Sequence, residues 1–448
     1  MDALPLDAPA VAAAAALVAL PGVLVVRSPW RAMPLVSLAF WVTSWTWPLG
    51  GSRTRVLHVF LMLFGALALF RIVRPGPLPR LGRAQILVVV GAILLAVPHA
   101  RRVVPPGTRA PIEALAAELL VWHDGWPASF EPLSPRPPFE ASGLAAMAAD
   151  VVLLSGVPAH RALLAVTVVA DALLLLALWS LAGTRAPPGR AAAVAAAGLL
   201  PVAAMAEASG LLASAFAVEA VALWHDRRGH PSAFTAGACV AAAIATDVTT
   251  APCALLLASL LSRIGRDPAA DDAAVSPVPG RLRTAAWTAA VLALPLVWRV
   301  PPVEAPDAAS LAAVALTGLL GLAARRRSAA EWRVAVSGLV VVAAGGAFLA
   351  RAADDVVTRD EEAAMTWIRD HAHPLDVVCA PDVPAARWIP AIAGRPASVP
   401  IGPGWPMPAG KCAVRISLSG LAPPGGLPLD ASAFRAGQAV VWTASQER

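Results

Sequence analysis

The sequence contains no tyrosine, and of its 35 basic residues only Lys411 is a lysine, which leaves 34 arginines. Arginine and 15 tryptophans fill the basic and aromatic roles. Such a skew trades interchangeable residues, and no chemistry is read from it. Cysteine is scarce as well: there are four, with no Cys-x-x-Cys pair. That is too few for a disulfide framework. Charge is thin at 14%, where soluble domains carry about 25%. A soluble enzyme of this size is excluded on that ground, and so is a disordered chain, because such chains are poor in apolar residues. The net charge of +6 is not a nucleic-acid footprint, since the arginines sit between hydrophobic runs.

What fills the 448 residues is apolar: 58% are hydrophobic and the mean hydropathy is +0.67. A spanning helix needs about 20 mainly apolar residues. Runs that approach this cover 9–26, 33–50, 55–72, 84–99, 158–183, 190–206, 208–225, 233–247, 249–264, 284–300, 308–324 and 332–350. The expected fold is an α-helical polytopic membrane protein of about twelve transmembrane helices. The first run has no basic leader and no A-x-A site, so it reads as a retained span rather than a signal peptide. With the N-terminus outside, inner connections hold 18 arginines and outer ones 8, as the positive-inside rule requires. The chain then divides into N-terminal spans (1–99), an outer loop (100–157), a helical bundle (158–350) and a C-terminal domain (351–448). The expected location is a bacterial inner membrane, with loop and C-terminal domain extracytoplasmic.

The outer loop has two apolar helical patterns, 110–122 and 142–156, the second too short to span and expected in the interface. Between them runs the proline-rich, aromatic stretch HDGWPASFEPLSPRPPFE. In the C-terminal domain 359–371 reads as an amphipathic helix, and 376–380, 413–418 and 438–443 read as strands. This makes a small α/β appendage.

Three segments resemble the GT-C superfamily, polytopic glycosyltransferases that use polyprenyl-phosphate-linked sugars. They are 104–162, with its "HDGWP…EPL" turn and "ADVVLLSGVPAHRA"; 201–228, a helix–loop–helix unit; and 365–400, with "MTWIRDH" and "RWIPAIAGRPASVP". Together they cover about a quarter of the chain. Where the resemblance implies an acid at the head of the loop, this chain has Arg109, with Glu113 one helical turn later. Where related sequences often carry histidine, it has Asp247.

The reaction this implies is inverting displacement at an anomeric carbon. The acceptor hydroxyl needs a carboxylate to take its proton, and the leaving lipid phosphate needs cations or a metal. The candidate bases are Asp124, Glu131 and Glu113, with Glu207 and Asp247 as secondary candidates. The candidate phosphate-binding cations are Arg101, Arg102, Arg109 and Arg136. A divalent metal is left open as cofactor, and no metal ligand is assigned. The implied partners are membrane lipid, a polyprenyl-phosphate-linked sugar and a glycan or protein acceptor, with no nucleic acid.

Plainer readings stand beside these. Loop charges are commonly solvated, and Asp124 before Gly125 suits a turn. Asp171 and Glu219 are acids inside apolar runs, functional by default in a membrane. His371 and His373 beside Asp370 and Asp376 superficially resemble a metal cluster, at a spacing that is not diagnostic. Trp367, Trp388 and Trp405 suit sugar stacking, but more often such residues are core or interface anchors. Cys379 and Cys412 are candidates for a disulfide if their Cα atoms come within about 4.4–6.8 Å, while Cys239 and Cys253, in spans, stay reduced. Two other classes remain: a non-catalytic relative that binds the lipid carrier or a partner, and a transporter or flippase, for which the expected internal repeat is missing.

Overall fold

A computed structural model describes residues 7–26, 52–73, 102–107, 109–125, 127–131, 133–134, 143–183, 208–225, 230–247, 251–252, 254–255, 258–259, 356–401, 405, 408, 412–421 and 433–443. The helical part comprises α1 (Ala8–Val26), α2 (Arg53–Val73), α3 (Ala110–Trp122), α4 (Gly143–Ser155), α5 (Ala159–Gly183), α6 (Ala208–His225) and α7 (His230–Thr246). The C-terminal unit comprises α8 (Arg359–His371), β1 (Val377–Cys379), α9 (Ile389–Ala393), β2 (Cys412–Ser417), β3 (Phe434–Ala436) and β4 (Ala439–Thr443).

The helices start and stop for local reasons. Asp124 adopts a left-handed φ of 50° just past the end of α3. The Gly125 amide then reaches back to the Leu120 carbonyl and the Asp124 amide to that of Val121. This paired closure satisfies carbonyls that the helix end would leave open. Gly156, at φ 71°, ends α4, and Pro158 leads directly into α5. Proline suits a helix start, where its missing N–H costs nothing.

Alanine-rich faces let these helices approach closely. α5 packs on α6, α6 on α7, and α3 and α4 lie against α5. Leu163, Leu174, Leu178 and Phe216 are fully buried there. Each such side chain contributes about 1.5–3 kcal/mol.

This corrects the expected architecture. No single helix among the described residues is long and apolar enough to cross a membrane. Leu144–Ser155 and Ala159–Leu175 reach that length and apolarity only together, and they are bent by 112°. The runs at 9–26, 55–72, 158–183, 208–225 and 233–247 are helical with nearly the expected bounds. Much of α5 and α6, however, is buried against neighbouring helices. The described chain is a packed helical layer with a small mixed α/β unit, not a twelve-span polytopic bundle. Placement as an integral protein of a bacterial inner membrane with an extracytoplasmic C-terminal domain falls with it, and the arginine asymmetry has no spans to orient among the described residues. The runs 33–50, 84–99, 190–206, 284–300, 308–324 and 332–350 lie outside the described residues, as does most of 249–264.

The C-terminal sheet has the order β1-β2-β4-β3. β1 and β2 are parallel, and β4 is antiparallel to β2 and β3. α8 packs on β3 and β4 and contacts α9. A capping box opens α8: Thr358 Oγ1 accepts from the Glu361 amide at 3.3 Å, and Glu361 accepts from the Thr358 amide at 2.8 Å. At its other end Arg395 donates to the carbonyls of Arg369 at 2.7 Å and Ala372 at 2.6 Å. That cation on the last turn also suits the helix dipole. Trp388, Ile368, Val378, Ile416 and Val441 form the core.

Cys379 and Cys412 are disulfide-bonded, with Cα atoms 5.5 Å apart. Cys239 remains a buried thiol, and Cys253 lies outside the described residues. The bridge closes a loop between positions 33 apart, so its loss removes a restraint on the unfolded chain. Cys379→Ser with Cys412→Ser is expected to lower stability by about 2–4 kcal/mol. Denaturant titration followed by tryptophan fluorescence reads this, and an unchanged midpoint would contradict it.

Candidate functional site

The sequence-selected residues divide into two groups around α3. At its start Arg109 occupies the position before the first helical residue, and no side chain caps the helix there. A cation at that end opposes the helix dipole, so it needs acidic company. Asp247, buried just beyond α7, places Oδ1 3.9 Å from Arg109 Nη1. At that distance the pair is an ion pair rather than a hydrogen bond. Glu113 lies in the first turn of α3 and is 2% exposed. Its amide bonds to the Arg109 carbonyl at 3.0 Å, which sets the two residues one turn apart. Arg102 is buried in the segment that leads into α3. Arg109 and Asp247, 138 residues apart in sequence, thus meet each other.

At the far end of α3, Asp124 is committed elsewhere. Its Oδ1 accepts from the Thr54 amide at 2.7 Å, and its Oδ2 accepts from the Ser52 hydroxyl. Ser52 Oγ in turn accepts from the Arg55 amide at 3.2 Å. Asp124 therefore caps α2 across 70 residues of chain, offering negative charge to amides that a helix start leaves unsatisfied. The Ser52 hydrogen bond and then those of Thr54, helped by the nearby Arg55 charge, outweigh partial burial and hold its carboxyl below the usual range. Glu131 is exposed on the turn from Phe130 to Ser134. Arg101, Arg136 and Glu207 lie outside the described residues.

The C-terminal unit closes over this region. α9 packs against α3 and α5, and Phe130 meets Trp405 with ring centroids 5.3 Å apart. Trp388 is core, and Trp367 stacks with both His371 and Phe434. None of the three offers an open platform for a sugar. His371 Nδ1 lies 2.9 Å from the Trp367 carbonyl oxygen, and Asp376 accepts from the His373 amide at 2.8 Å. No group of three or more His, Cys, Asp or Glu among the described residues is placed to hold a metal ion.

An ionic knot that sequence reasoning missed ties the two parts together. Glu362 of α8 accepts from Arg161 Nε at 2.9 Å and Nη2 at 2.7 Å, and lies 2.8 Å from His160 Nε2. Arg161 also pairs with Asp7 at 3.4 Å. A signal was present: His160-Arg161 places two basic side chains in the first turn of α5, where the dipole disfavours cations. Burial pushes the Glu362 carboxyl up, but the hydrogen bonds and charges of His160 and Arg161 outweigh it and hold the group at about 2.

Two outcomes follow. A carboxyl lowered from 4.5 to about 2 contributes stability that is present above the unfolded value and lost as pH falls through the folded one. Acid titration of the folded chain should therefore show loss of docking between pH 4.5 and 2. Glu362→Gln should already be loosened at pH 7 and flat across that window, as read by limited proteolysis between 356 and 443. Asp124→Ala should cost about 0.5–2 kcal/mol, as a lost helix cap does, with extra amide exchange at the start of α2. Unchanged exchange there would remove Asp124 from the cap. The chain matches no protein-family model, no curated protein and no solved structure.

Proposed function

We propose that this chain binds a sugar linked through phosphate to a polyprenyl carrier and transfers it to an acceptor hydroxyl. The observation that carries the reading is the start of α3: Arg109 beside the uncapped helix end, Asp247 holding it, and Glu113 one turn inside. Helix-start amides and a guanidinium suit a phosphate. In this scheme the acceptor oxygen attacks the anomeric carbon from the side opposite the phosphate. The bond from that carbon to the phosphate oxygen breaks, polyprenyl phosphate departs, and the acceptor proton passes to Glu113. Arg109 and Arg102 offset the charge that develops on the leaving oxygen.

A second reading has its own support. Asp124 is engaged in capping α2, Glu131 faces solvent, and Glu113 is almost wholly buried. A chain that holds the carrier without turnover would be arranged the same way.

Purified protein with a radiolabelled polyprenyl-phosphate sugar separates them. On the first reading, Glu113→Gln lowers turnover by about 10²–10⁴-fold with carrier binding nearly unchanged, and Arg109→Ala weakens binding. Carrier binding without transfer by wild type favours the second reading. No binding of any phosphate-linked sugar ends both.

A further inference from the structure

Of the ten large hydrophobic side chains that stand exposed among the described residues, six belong to α2. They are not scattered. Arg55, His58, Val59, Met62, Leu69 and Val73 recur on one face at helical spacing and are all exposed, Met62 at 69% and Val73 at 78%. In mid-stripe, a side chain built at Gly65 would meet nothing within 4 Å. On the other side, Leu57 is buried, and α2 packs against α1. At about 1.5 Å per residue, Val59 to Val73 makes an apolar edge about 21 Å long. A stripe of this extent marks an interaction site rather than ordinary surface.

Charge indicates the kind of partner. α2 itself carries Arg53 and Arg55 in its first turn, Arg71 in its last turn, and no aspartate or glutamate. The one acid brought to α2 in the described structure, Asp124, is bonded at its amino-terminal cap, away from the stripe. The partner must therefore offer a broad apolar layer bordered by negative charge. A phospholipid surface with anionic headgroups has both, with the apolar boundary beneath the phosphates.

We propose that α2 docks the chain on an anionic phospholipid surface, lying along it with the Val59–Met62–Leu69–Val73 edge at the boundary between headgroups and acyl chains. The helix rests on the lipid and does not cross it. The proposal is independent of sugar transfer and stands or falls separately.

The full-length protein is mixed with vesicles of phosphatidylglycerol and phosphatidylcholine, and with phosphatidylcholine alone, then sedimented. Wild type is expected to partition onto the anionic vesicles, more weakly onto neutral ones, and less as salt rises. Met62→Asp with Leu69→Asp should lower that partition by about tenfold or more, since two apolar groups are lost from the contact. Leu375→Asp, at an exposed leucine of the C-terminal unit, should leave it unchanged. Should the double variant fail to fold, Arg55→Glu reads the same contact through a weakened salt dependence. Equal partition of wild type and variants overturns the proposal, as does no partition at all. A wild-type dimer that the double variant dissociates, with partition unchanged, also overturns it and assigns the stripe to a second copy of the chain.

Discussion

One carboxylate makes the ionic tie between the C-terminal unit and the helical part. Glu362 projects from α8 of the C-terminal unit into a pocket of charge made by the first turn of α5. Arg161 holds it through two nitrogens, and Asp7, just before α1, steadies Arg161 from the other side. Two-pronged arginine–carboxylate contact fixes orientation as well as distance. Partial burial makes the pair unforgiving, because removing either partner strands a charge away from water. Asp7, the start of α5 and the C-terminal unit are therefore tied at one point, beside the direct packing of α1 on α5 and of α9 on α3.

α3 is the element on which the rest converges. Its start carries the Arg109–Asp247 pair and Glu113, its side lies under α9, and its end runs into the Asp124 turn. A cation before a helix is ordinarily unwelcome. Here the buried Asp247 beside it makes it acceptable, so the charge is retained at the helix start. The Arg109–Asp247 pair thus joins the start of α3 to the end of α7.

Much of the fold was legible from pattern. The amphipathic stretch 359–371 is α8 with identical limits, and 110–122 is α3. Periodicity and helix-start chemistry reveal such elements because both are local. β3 was missed, being three residues long, and α9 was missed because Pro390 and Gly394 punctuate it. The larger error concerned what apolar runs are for. Hydropathy records that a segment avoids water but not whether lipid or another helix receives it, and the buried faces of α5 and α6 went to helices. Arg109 and Glu113 drew attention only through the family resemblance, and the ion pair of Arg109 with Asp247, 138 residues on, was not legible. Nor was the commitment of Asp124 to α2, because its partners are 70 and 72 residues away. The turn reading of Asp124 before Gly125 was correct as far as it went.

The disulfide between Cys379 and Cys412 makes a covalent ring of the chain between them. α9 and Trp405 lie inside that ring, and they supply the apolar contact with the α3 segment. Glu362, which supplies the ionic contact, lies outside it. The C-terminal unit thus holds on by two grips that answer to different agents. Protons release one, and only a reductant slackens the other, so neither an acidic nor a reducing environment alone disarms both.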